Sequence, residues 1–129
     1  MKKTTEKHLA IFREECEHWI KRLGLGGWEV NYFTCEEEGI HAKVHTDYGG
    51  CTATAFLAKK WDDKITPLSE ETIRQAARHE MIHLLLGNFS LLASSRYVSE
   101  GELEKAEEEL VMKLEKIIIF GTVWPMKSQ

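Results

Sequence analysis

Apolar side chains recur at Leu9, Phe12, Cys16, Trp19, Ile20 and Leu23, the three-to-four spacing of a helix that buries one stripe. The pattern predicts a helix over residues 5–23, ended by Gly24, Gly26 and Gly27. From Trp28 the period changes to two. Trp28, Val30 and Tyr32 alternate with Glu29, Asn31 and Phe33, and residues 52–61 are rich in strand formers interleaved with small residues. Turn-like stretches at residues 36–39 and 47–50 separate these runs, so the middle third reads as an antiparallel sheet of about three strands. Helical spacing returns at Ser69, with Glu70 and Glu71 placed to complement the positive helix end, and is expected to stop near residue 86 at Gly87 and Asn88. Ser99 and Glu102 form a capping-box pattern that opens a last helix running to about residue 120. Helix, sheet, helix, helix is an α+β layout, expected as one domain over residues 1–129.

The last two turns of the second predicted helix are apolar almost all round except for His83, so that stretch should be buried. Running into that stretch, residues 81–86, is His79-Glu80-Met81-Ile82-His83, an HExxH motif. Residues four apart on a helix sit one above the other, so the two imidazoles point the same way, as two ligands of one metal ion must. Glu80 is then placed to deprotonate a metal-bound water, which is the chemistry of a zinc hydrolase.

Catalytic zinc usually takes three protein ligands. A further His six residues after His83 would complete one common pattern, but that position holds Phe89, and His8, His18, His41 and His45 all precede the motif. The remaining common choice is a downstream Glu. On the last helix, Leu103, Ala106, Leu110, Val111, Leu114, Ile117 and Ile118 form an apolar stripe, and at about 100° per residue Glu107 falls near its middle. A carboxylate there is costly unless paired or metal-bound. Glu107 is the expected third ligand, with Glu108 and then Glu104 as alternatives that a one-position error in helix phase would exchange.

This arrangement resembles the gluzincin metallopeptidases, and more closely their single-domain minimal forms and the short metallopeptidases of phages and prophages. The resemblance rests on the helix-Gly-Trp-strand opening from Trp19 to Val30, on the motif with Leu84, Leu85 and Leu86 behind it, and on Glu107 to Val111. It covers nearly the whole chain, but only HExxH is highly specific. It implies a minimal zincin-like fold and a zinc (Zn2+) peptidase acting on a protein or peptide substrate, with His79, His83 and a downstream Glu as ligands and Glu80 as general base. An oxyanion donor is also expected; Tyr97 is the first choice, with His41, His45 and Tyr48 behind it. Residues 52–59 are the strand expected to align a peptide by strand addition. A non-catalytic zinc module for partner binding and a zinc amidase are the competing readings. An intact Glu80 argues against the first, because a purely structural site needs no base.

Composition narrows the field without choosing within it. A net charge of -4 argues against a dominant nucleic-acid role, which needs clustered Lys and Arg. The N-terminus is charged with no apolar stretch behind it, and the apolar runs are too short to span a bilayer, so a cytoplasmic protein without a membrane role is expected. Cys16, Cys35 and Cys51 are odd in number and widely spaced, as free thiols in a reducing compartment would be. Trp19, Trp28, Trp61 and Trp124 read as packing residues rather than a binding platform, and Cys16, on the first stripe, as an inert core thiol.

Overall fold

The computed structural model describes residues 1–95 and 97–127, with side chains as far as Ile117. Ile118 and Trp124, assigned above to the stripe and to packing, lie outside the described side chains. The chain runs β1 (Lys2–Lys3), α1 (Glu6–Arg22), β2 (Glu29–Cys35), β3 (Ala42–Asp47), β4 (Thr52–Ala58), β5 (Lys60–Trp61), α2 (Glu70–Ala93) and α3 (Glu100–Lys127). The fold is α+β, as the periodicities predict. Among the described residues no helix is long and apolar enough to cross a membrane.

Helix α1 begins at Thr5, whose hydroxyl accepts from the His8 amide while the His8 ring accepts from the Thr5 amide. It ends in a Schellman turn. The Leu25 amide reaches back to the Ile20 carbonyl and the Gly24 amide to that of Lys21, with Gly24 at a φ of 70° that side chains with a Cβ resist. The predicted stripe is the observed one: Phe12, Cys16, Ile20 and Leu23 are buried, with Leu9 and Trp19 half-buried against them. Both predicted capping residues also hold. Ser69 and Thr72 cap α2 reciprocally, and the Glu102 amide donates to the Ser99 hydroxyl, which donates to the Glu102 carboxylate.

The main sheet departs from expectation in its pairing. Its order is β2-β4-β3. β4 lies antiparallel to β3 but parallel to β2, in a register from Glu29↔Thr52 to Cys35↔Ala58. The sheet is therefore mixed, and β4 is its centre rather than a substrate-binding edge. The reason is burial: Ala53, Ala55, Leu57 and Ala58 of β4 are all buried, and the most apolar strand is stabilised most where it is covered on both sides. Val30 and Tyr32 share this inner face, while Phe33 points outward and is 56% exposed. β1 and β5 form a separate antiparallel pair.

Helix α2 is the second departure. It passes through Gly87 and continues to Ala93. Gly87 is not a stop but a notch: a Cβ there would fall on the Tyr48 hydroxyl and 2.7 Å from the Tyr48 Cζ. The Tyr48 ring, carried by the β3–β4 turn, is braced edge-on against Trp28 at 5.3 Å. Only glycine lets the helix backbone accept that ring.

Candidate metal centre

The motif lies wholly within α2, whose core-facing row is Ile73, Ala77, Met81 and Leu84. At 100° per residue His79 and His83 stand roughly 115–155° from that row, and both are exposed. The expectation that this stretch is buried holds only for the other side of the helix, at Met81, Leu84 and Leu85, and not for the imidazoles. Ile82 and Leu86 flank the imidazoles and are themselves about two-fifths exposed, at 42% and 38%.

The two rings meet edge to face, with centroids 4.7 Å apart and planes at 80°. Their Nε2 atoms are 3.2 Å apart. Zinc–imidazole bonds of about 2.0–2.1 Å at a tetrahedral angle put two ligand nitrogens about 3.3 Å apart, so the pair fits two positions of one zinc ion. The same separation also fits a hydrogen bond between a protonated and an unprotonated nitrogen.

Glu80 is turned from the pair toward the core by the 100° step of the helix, and is 9% exposed. Burial raises its carboxyl pKa above the ordinary value, and the nearby His83 and His79 imidazoles oppose the rise. Cys16 lies on its inner side, where burial and the neighbouring Glu17 and Glu80 push the thiol far above its usual range.

The third-ligand expectation fares differently. Glu107 is exposed, not centred in a buried stripe. The row of α3 that turns inward is Leu103, Ala106, Leu110, Lys113 and Ile117. Its centre lies roughly 80° from Glu107, and Glu104 and Glu108 are farther still. Val111 and Leu114, which widened the apparent stripe, are 47% and 41% exposed. Among the described residues no group of three or more His, Cys, Asp or Glu side chains is gathered as a metal site. The structure brings together His79 and His83, with Glu80 beside them, and leaves Glu107, Glu108 and Glu104 apart.

The expected oxyanion donors also separate. Tyr97 is 88% exposed in the α2–α3 connection, its amide on the Ser95 hydroxyl. His41 is stacked on Trp61 at 4.0 Å with its Nε2 on the Asp62 carbonyl, and His45 lies on the outer sheet face against Phe56. Tyr48 alone comes to the row that bears the imidazoles. Gly87 is one helical turn after His83, so the Tyr48 hydroxyl in its notch stands about one turn along the helix from His83. That hydroxyl makes no hydrogen bond among the described residues. The signal for it was a glycine inside an apolar helical run, which sequence reasoning took for a terminator.

Comparison with protein-family models, with curated proteins and with solved structures finds no match to this chain.

Proposed function

We propose that the chain is a zinc-dependent metallopeptidase of the minimal gluzincin kind, acting on peptide bonds in the cytoplasm, with His79 and His83 as metal ligands and Glu80 as general base. The observation that carries this reading is the 3.2 Å separation of the two Nε2 atoms, the spacing of two ligands on one ion. The three free cysteines agree with a reducing compartment. The third ligand in this reading is Glu107. Its carboxylate forms no ion pair among the described residues, and to reach the pair α3 would have to turn from its present packing.

When bound, a zinc ion supplies Lewis acidity toward a carbonyl oxygen and a water molecule. The rest falls to the chain itself. Burial makes Glu80 a stronger base than an exposed carboxylate, suited to accept a proton on its carboxylate oxygen and deliver it to the leaving amine. The Tyr48 hydroxyl is free to donate to an oxygen that gains charge. β3, the antiparallel outer strand of the sheet, packs beside α2 and offers a backbone edge to an extended peptide. Ile82 and Leu86 provide an apolar surface around the imidazoles.

A second reading has one observation in its favour. Both imidazoles face solvent with no third donor gathered beside them among the described residues, which suits a non-catalytic module whose site a partner completes.

Metal analysis and a peptidase assay on the same protein separate these readings. The expected result is about one zinc per chain, lost in His79→Ala, kept in Glu80→Gln, and weakened by Glu107→Ala but not by Glu108→Ala. Glu80→Gln should abolish peptide hydrolysis. No zinc uptake by wild-type protein would remove the first reading; zinc uptake without hydrolysis would leave the second. Equal zinc affinity in the Glu107 and Glu108 variants would assign the third ligand elsewhere.

A further inference from the structure

A cleft of about 690 Å³ lies between the end of α1 and the middle of α3, lined by His18, Lys21, Arg22, Leu23, Gly24, Lys113, Lys116 and Ile117. Among the described residues its wall holds four Lys or Arg side chains and no carboxylate, in a chain whose net charge is -4. The ion pairs among the described residues use Lys2, Lys43, Lys59 and Arg74. None involves the four cations of the cleft.

Basic residues at a helix C-terminus ordinarily serve the last carbonyls and the helix dipole. Here the Schellman turn already gives the Trp19, Ile20 and Lys21 carbonyls backbone donors, and Lys113 and Lys116 come from another helix. The cations are therefore not needed to finish α1. The arrangement is also held in place. The Lys113 stem packs across Gly24, its Cε 3.5 Å from where a Cβ there would lie, an ordinary van der Waals distance. The Arg22 guanidinium lies over the Trp19 ring at 5.7 Å, and its Nε is buried without a hydrogen-bond partner among the described residues.

The lining also fixes the character of the ligand. One monoanion would leave most of the positive charge unmatched, so at least two negative charges are called for. Leu23, Ile117 and the lysine stems form an apolar floor, and the volume is that of a small organic ligand rather than a bare inorganic ion. His18, set edge-on to Trp19 at 5.2 Å, adds an aromatic wall. We propose that this cleft binds a phosphate ester of nucleotide size, its phosphates on Arg22, Lys21, Lys113 and Lys116 and its apolar or aromatic body on Leu23 and Ile117. The site is separate from His79 and His83 and does not depend on the metallopeptidase reading.

Titration calorimetry of the purified 129-residue chain, with chelator present to keep metal off His79 and His83, tests this with ADP, pyrophosphate and adenosine as probes. ADP is expected to bind one to one, more tightly than pyrophosphate, while adenosine gives no saturable heat. Lys113→Gln and Arg22→Gln should each weaken ADP about tenfold or more, and His79→Ala should not. If Arg22→Gln fails to fold by circular dichroism, the Lys113→Gln/Lys116→Gln pair decides, since Lys116 is exposed and Lys113 half-exposed. No ADP binding at millimolar concentration, or wild-type affinity in the lysine variants, overturns the proposal. Pyrophosphate binding as tightly as ADP overturns the role of the apolar floor.

Discussion

Replacing Gly87 by alanine sets two effects of known sign against each other. In an unobstructed helix interior the change from Gly to Ala is worth about 0.8–1 kcal/mol of stability. At Gly87 the new Cβ would take the place of the Tyr48 hydroxyl and crowd its Cζ at 2.7 Å. Tyr48 cannot retreat freely, because Trp28 braces its ring, and the edge-to-face contact it would surrender is worth about 0.5–1.5 kcal/mol. Overpacking of this kind costs about 1–3 kcal/mol, so the net expectation is a loss of about 1 kcal/mol, or roughly 3–6 °C in Tm for a chain of this size. Gly101, in the first turn of α3, has no atom within 4 Å of its Cβ position, and its alanine variant is the control, expected neutral or stabilising. Urea unfolding of Gly87→Ala, Tyr48→Ala and the double variant measures the coupling, expected at about 1–3 kcal/mol because Tyr48→Ala removes the obstruction. Should Gly87→Ala stabilise the protein as Gly101→Ala does, with no coupling to Tyr48, the ring does not occupy the notch and the assignment of its hydroxyl to the imidazole row fails.

Two further outcomes follow from burial. With a thiol reagent at neutral pH, Cys51, exposed in the β3–β4 turn, should react first and Cys16 only on unfolding, because burial holds its thiol protonated; rapid modification of Cys16 in folded protein would contradict the core packing. In metal-free protein, the raised Glu80 pKa means that the folded chain binds more protons than the unfolded chain between the ordinary and the raised values, so this group's contribution falls as pH rises through that window. Glu80→Gln should therefore be more stable than wild type near about pH 7.5, with the advantage shrinking toward about pH 4, and a variant less stable at the higher pH would show that the carboxylate is paired instead.

Much of the fold was legible because local chemistry set it. The α1 stripe, its glycine ending and the Ser69 and Ser99 caps follow from spacing and hydrogen-bonding capacity within a few residues. What was not legible depended on partners distant in sequence. The apolar residues of α3 outnumber those the core accepts, so their centre of gravity pointed at Glu107 while the packed row, with Lys113 laid across Gly24, turned away from it. Gly87 has the composition of a terminator, and only the arrival of Tyr48 from a turn some forty residues earlier distinguishes a notch from a stop. Strand alternation located β2 and β4 but carried no information about direction of pairing. For the candidate metal centre, the histidine pair and its neighbouring carboxylate were readable from five residues. A third donor was not, since a side chain from another element would have to supply it.

The mixed sheet also bears on the order of assembly. β3 and β4 are joined by four residues, 48–51, whereas each β2–β4 pair spans 23 positions, as in Glu29↔Thr52. Closing the longer loop costs more chain entropy, so the hairpin should form first and leave one edge of the apolar β4 unpaired until β2 arrives. That interval is when a second chain could add to the same edge. Pulse-labelled hydrogen exchange should show β3–β4 amides protected before those of β2, and simultaneous protection would contradict this order. The strand that holds the finished sheet together is thus also the one most exposed to error while the sheet is being made.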